Sequence, residues 1–293
     1  MPWQQLKIRI RSEHSASLEQ HLLDQGALSV TYIDAEDQPV FQKEPGSTPL
    51  WDNTYLVCLF DGNTDLKNLM HWLKQRAEVN NKHSLEIEVL EDQDWERSWM
   101  ANFQAMQFGE QLWICPSWQT PPDPAATNIM LDPGLAFGSG SHATTALCLQ
   151  WLEQAPLQHA SVIDYGCGSG VLAIAAALLG ADTVHAVDND PQAIVATVAN
   201  SDRNNVGDRV ITTCLPGTLP ELQVDILLAN ILAEPLQELA PIFAKLVKPG
   251  GKIVLSGLLA DQTESVLVSY RQWFDMDAAA VKQEWVRLTG TRN

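Results

Sequence analysis

The chain has 293 residues, 45% of them hydrophobic, and 36 Asp and Glu against 18 Lys and Arg give a formal net charge of −18. That apolar content excludes an extensively disordered chain, and the acidity disfavours nucleic acid as a direct partner while favouring basic proteins. No apolar stretch approaches the roughly 20 residues of a membrane span, the N-terminus lacks a signal-peptide pattern, and five scattered cysteines show no metal-like spacing, so the expectation is a cytoplasmic protein with reduced thiols, no metal and no membrane contact.

Leu6, Ile8 and Ile10 alternate with polar residues, which predicts a strand covered on one face. A helix over 15–25, stopped by Gly26, and a strand over 29–33 follow. After a polar loop from Pro39 to Pro49, a strand (54–60), a helix (65–77) and a strand (84–90) repeat that order. The sum, βαββαβ, predicts a small ferredoxin-like α+β domain over residues 1–90. Its His21 and His71 read as surface residues rather than ligands. Residues 91–124 read as a linker helix and a bridging strand (111–115). Trp95, Trp99 and Phe103 share one helical face there, either to dock the helix or to border a cleft.

The third segment, residues 125–293, alternates strands (161–165, 183–188, 209–214, 224–229, 252–258) with helices (near 170–180, 191–204, 233–246, 262–274). This order implies a mostly parallel sheet with helices on both faces. The end differs, because Met276–Glu284 and Trp285–Thr291 are extended runs with no helix between them. They predict a terminal antiparallel hairpin at the sheet edge.

The chemistry centres on Asp164-Tyr-Gly-Cys-Gly-Ser-Gly170. Glycines at 166 and 168 let backbone N–H groups approach a ligand closely. A dinucleotide fingerprint would require glycine where Val171 stands. Asp-x-Gly-x-Gly-x-Gly is instead similar to the S-adenosylmethionine loop of class I methyltransferases, a Rossmann-like fold that ends in such a hairpin. Asp188, at the end of the next strand, is placed to accept from two ribose hydroxyls. Asp190, before Pro191, reads as a helix N-cap. Asp164 either holds the cofactor's ammonium group or orients the loop. Upstream, Leu131 to Thr145 is rich in small residues and enters a helix (146–154) through Thr144 and Thr145, the form of a lid over a ligand. His142 within it is either a proton acceptor or merely exposed. Asn230-Ile-Leu-Ala-Glu-Pro-Leu236 follows the fourth strand of the parallel sheet, where such sheets open into a ligand crevice. It lacks the paired prolines and aromatic residue of enzymes that methylate planar nitrogens, which points to an aliphatic amine.

Together, Leu131–Thr145, Val162–Asp190 and Asn230–Leu236 resemble the bacterial ribosomal protein L-eleven methyltransferase family. The resemblance covers nearly the whole chain. It implies S-adenosylmethionine contacted by Thr145, Gly166, Asp188 and Asn230, with Asp164 and Gly168 beside them, and Asn230 positioning the acceptor amine. It also implies methylation of lysine side chains and the N-terminal amine of one basic ribosomal protein, recognised by the small domain of a monomeric enzyme. An RNA methyltransferase and a non-catalytic S-adenosylmethionine-binding assembly factor are the competing readings. Ser139, Ser141 and Ala143 depart from the family's usual lid, and Glu234 stands where a small residue is common and adds negative charge near the amine.

Overall fold

A computed structural model describes residues 3–36, 51–76, 79, 85–90, 103–132, 140, 142–207 and 211–293. The loop from Pro39 to Pro49, the helical stripe at Trp95 and Trp99, and most of the lid, including Ser139 and Ser141, lie outside the described residues. Two compact units divide the chain, residues 1–102 and 103–293.

The first unit runs β1 (Trp3–Arg11), α1 (Ser15–Asp24), β2 (Ser29–Asp34), β3 (Asn53–Asp61), α2 (Lys67–Lys74) and β4 (Leu85–Leu90). The strands form an antiparallel sheet in the order β2-β3-β1-β4, the ferredoxin-like arrangement that the alternating pattern implies. Leu6, Ile8 and Ile10 of β1 and Leu56, Cys58 and Phe60 of β3 point to one buried face, against Leu18 and Leu22 of α1 and Leu69 and Leu73 of α2. Spacings of two along the strands and of four along the helices bring these side chains together. His21 stacks on Trp72 with ring centroids 3.8 Å apart.

The second unit opens with a small sheet of β5 (Met106–Phe108), β6 (Leu112–Cys115) and β7 (Thr127–Met130). Only β6 is foreseen by the sequence pattern. The other two are three and four residues long, too short to show a period, and are fixed by pairing with β6. Then come α3 (Ala143–Gln154), β8 (Ser161–Tyr165), α4 (Val171–Leu178), β9 (Thr183–Val187), α5 (Pro191–Arg203), β10 (Ile211–Cys214), β11 (Val224–Asn230), α6 (Ala233–Leu246), β12 (Val247–Leu259), α7 (Thr263–Tyr270), β13 (Phe274–Met276), β14 (Ala280–Lys282) and β15 (Trp285–Arg292). The main sheet has the order β10-β9-β8-β11-β12-β15-β13, with β14 also paired to β15. Strands β8 to β12 are parallel, and β15 lies antiparallel to β12. Ile226, Leu227, Leu228 and Ala229 of β11 are all buried, as befits a central parallel strand covered on both faces.

Two expectations are corrected here. Helix α3 begins at Ala143 instead of Ala146, because His142 serves as its N-cap, its side chain accepting from the Thr144 N–H. The first run of the terminal hairpin is not one strand: β13 and β14 pair with opposite ends of β15. The break falls at Asp277, whose N–H donates to the Thr289 carbonyl and whose carboxylate accepts from the Thr289 hydroxyl at 2.8 Å.

Candidate active site at the switch point of the sheet

Strand order reverses between β8 and β11, since the chain winds from β8 outward to β10 and then returns to β11 on the other side. Ligands of open α/β sheets bind in the crevice outside the carboxyl ends of the strands at such a point. Two glycines shape it. Gly166, leaving β8, has φ +82°, and a Cβ there would lie 2.3 Å from Ile231 Cγ2. Gly257 in β12 has φ +91°, and its Cβ would lie 2.3 Å from the Ile231 carbonyl oxygen. Residue 231 is therefore seated between two positions that admit no side chain, and this seating fixes the turn that carries Asn230.

A cavity of about 650 Å³ opens there, within the usual size range of small-molecule sites. Gly166, Asp188 and Asn230 all line it. The Asp188 carboxylate spans the glycine loop and the next helix: Oδ2 accepts from the Gly168 N–H at 2.9 Å and Oδ1 from the Asp190 N–H at 3.0 Å. Asp190 in turn caps α5, with Oδ1 accepting from the Gln192 N–H at 2.8 Å and Pro191 at the first helical position. The Asn230 side chain is tied from behind, Nδ2 donating to the Thr145 hydroxyl at 3.3 Å. Thr145 is fully buried, and its neighbour Thr144 reaches the cavity wall instead.

A profile of the family described as ribosomal protein L11 methyltransferase (PrmA) matches residues 2–293. The chain belongs to this family. The ribosomal protein L11 methyltransferase of Shewanella woodyi is 53% identical over 293 residues, which is all of both chains. That of Shewanella sp. strain W3-18-1 is 51% identical over the same span. A crystal structure described as a ribosomal protein L11 methylase from Lactobacillus delbrueckii subsp. bulgaricus superposes with a TM-score of 0.60 at 31% identity, covering 65% of this chain and all of that one.

The residues at the switch point suit the co-substrate of this family, S-adenosylmethionine. Gly166 leaves its loop open to close approach, and Asp188 presents a carboxylate to the same space. Ile231, Leu232, Pro235 and Leu239 supply apolar wall. Glu234 does not line the cavity; it sits exposed in the first turn of α6, and Glu238, one turn further on, is the α6 carboxylate at the cavity. Several lining residues were not singled out in the sequence. Asn189 had a signal, being next to Asp188. Gly257 and Trp285 had none, because they meet the site only through the order of strands β11, β12 and β15.

Asp164 stands apart from the cavity lining. It is 1% exposed; Oδ2 accepts from the Ala173 N–H in the first turn of α4 at 3.0 Å, and Oδ1 has no hydrogen-bond partner. Burial pushes its carboxyl up to about 7, against the opposing pull of the Ala173 N–H. An unfolded Asp loses its proton near pH about 3.9. Between that pH and 7 folding takes up a proton, so this group's contribution is full at low pH and is lost as pH rises to 7. Asp164→Asn cannot ionise and should lack that slope. In urea unfolding the variant should gain on the unsubstituted chain by roughly 2–3 kcal/mol between pH 5 and pH 8. A stability difference that does not change with pH would show that Asp164 is already ionised in the folded protein at pH 5.

Proposed function

We propose that this chain methylates amino groups of ribosomal protein L11, lysine side chains and the N-terminal amine, using S-adenosylmethionine. The observation that carries the reading is the cavity at the switch point, where Asp188, Gly166 and Asn230 face one space in a chain that matches the family over residues 2–293. When bound, S-adenosylmethionine supplies a sulfonium methyl group: the amine lone pair forms the N–C bond, and the C–S electrons return to sulfur.

The chain's own residues bind, position and exclude. Asp188 takes the ribose hydroxyls; the N–H groups of Gly166, Cys167 and Gly168 already donate to Val187 and Asp188, so the glycine loop meets the ammonium of the amino-acid end through its carbonyls. Asp164 acts from beneath by orienting the glycine loop. With Nδ2 engaged by Thr145, the Asn230 amide is fixed in rotation, and Oδ1 remains to accept an amine N–H and aim the lone pair. His142 is not the base in this scheme. Its Nδ1 is turned to the start of α3, 2.8 Å from the Thr144 hydroxyl and 3.4 Å from the Thr144 N–H, as a helix cap. A lysine amine has a pKa of about 10.4, so it gives its proton to solvent before it seats.

We further infer a cytoplasmic monomer that needs no metal, binds no nucleic acid directly and uses the small unit to recognise its substrate. A net charge of −18 suits a basic protein substrate. No helix among the described residues is long and apolar enough to cross a membrane.

Radiolabelled S-adenosylmethionine offered with purified ribosomal protein L11, with naked ribosomal RNA, or alone should label the protein only. Label in RNA alone would establish an RNA methyltransferase. Cofactor binding without transfer to either would establish an assembly factor.

A further inference from the structure

The cavity runs across the strand ends in spatial order: Pro216 beyond β10, Asp188 beyond β9, Gly166 beyond β8, Asn230 on β11, Gly257 in β12 and Trp285 at the start of β15. This order gives the cavity two halves. If Asp188 holds the ribose and Gly166 the amino-acid end, S-adenosylmethionine occupies the half over β9, β8 and β11. The half over β12 and β15 then remains for the acceptor. Neighbouring strands lie about 4.8 Å apart, so β15 is roughly 10 Å from β11, a gap that an indole ring and an amine head together fill.

Contacts of Trp285 and of its neighbours on β15 fix that end. The Trp285 ring meets the His142 ring edge to face, with centroids 4.7 Å apart and planes at 69°. Two residues along on the same side of β15, half-buried Arg287 donates from Nη1 to the Leu147 carbonyl of α3 at 2.8 Å. Ser256 of β12 donates to the Val286 carbonyl at 3.0 Å. Helix α3, with its cap His142, is thereby fixed against β15, and the indole is placed before any substrate arrives.

Resting on the methyl-transfer reading above, we propose that Trp285 is the seat of the acceptor amine, its indole face holding the methylated ammonium head beside Asn230 by cation–π attraction. Each transfer moves one positive charge from sulfur to nitrogen, so the product at this seat is a cation. An aromatic face attracts an alkylated ammonium without needing its N–H bonds, which disappear as methyl groups accumulate. Trp285 therefore retains a partly methylated amine, which gives its proton to solvent before the next transfer, while Asn230, which needs an N–H, holds it less and less well.

The test uses tetramethylammonium as a probe of the seat, titrated into the full chain loaded with S-adenosylhomocysteine and followed by broadening of the probe's proton NMR line. Trp285→Leu should weaken binding roughly tenfold, and Trp285→Phe should recover part of the loss. With the ribosomal protein as acceptor, Trp285→Leu should lower kcat/KM by a similar factor, leave the Kd for S-adenosylmethionine within about twofold, and accumulate mono- and dimethylated product in the mass spectrum. That Kd also reports whether the variant's site is folded, and Trp285→Phe carries the test if the leucine variant is not. Tetramethylammonium binding indifferent to residue 285, or a loss of cofactor affinity as large as the loss of turnover, would overturn the assignment. Failure of the unsubstituted chain to transfer methyl groups would overturn the methyl-transfer reading, and the tetramethylammonium titration would still decide whether Trp285 binds an alkylated ammonium.

Discussion

Asp188→Ala is expected to raise the Kd for S-adenosylmethionine by on the order of 100-fold or more, while turnover at saturating cofactor falls far less. Hydrogen bonds to a charged acceptor contribute roughly 1.5–3 kcal/mol each, and the proposed ribose contact has two of them. The substitution also strips the Gly168 and Asp190 N–H groups of their shared acceptor, so the glycine loop loses the brace that holds it to the end of β9. Asp188→Asn should be nearly as damaging. Both carboxylate oxygens already accept from backbone N–H groups, so an amide must turn its NH₂ toward one of those donors. Isothermal titration with S-adenosylmethionine measures both variants. Unchanged affinity in Asp188→Ala would remove Asp188 from the cofactor site, and a large difference between Asn and Ala would show that the two oxygens are not both required.

How far the site can be read from sequence follows from which geometry is local. Gly166, Gly168 and Asp188 are legible because a strand, a tight turn, a helix and the next strand fix their separation along the chain; 22 residues from Gly166 to Asp188 span one such unit. Asn230 is legible for a related reason, since it ends an apolar strand of the kind found at sheet centres. The ferredoxin-like order of the first unit is legible because the two central strands, β1 and β3, each bury every second residue. By contrast, Gly257 acts only where β12 passes the Ile231 carbonyl, and Trp285 only because β15 inserts beside β12. Those meetings depend on sheet order, which no local pattern encodes. The same limit explains β5 and β7, three and four residues held by cross-strand bonds, and the separate strands β13 and β14, which take opposite ends of β15. Helix α3 starts three residues before the position its sequence suggests because His142 is a less usual cap than Ser, Thr, Asp or Asn.

Asn230→Ala should act the other way from Asp188→Ala, lowering turnover by on the order of 100-fold with cofactor affinity changed little, because a misplaced nucleophile alone costs about that much. The amide is at the centre of the switch point, with Ile231 clamped between Gly166 and Gly257 behind it and Thr145 fixing its rotation. Removing it leaves the Thr145 hydroxyl without its donor at a fully buried position, so some stability is lost as well; Asn230→Asp separates the two effects. The carboxylate keeps the shape and accepts from the Thr145 hydroxyl, but it places a negative charge where an amine must arrive neutral, favouring the protonated and unreactive form. Asn230→Asp should therefore fold like the unsubstituted chain, bind S-adenosylmethionine, and need higher pH for activity, its single-turnover rate rising through a pH range where the unsubstituted chain has already levelled off. A pH profile superimposable on that of the unsubstituted chain would mean that residue 230 does not face the amine. A steep loss of turnover in His142→Ala with unaltered cofactor affinity would move deprotonation from solvent to that ring and leave Asn230 with alignment alone.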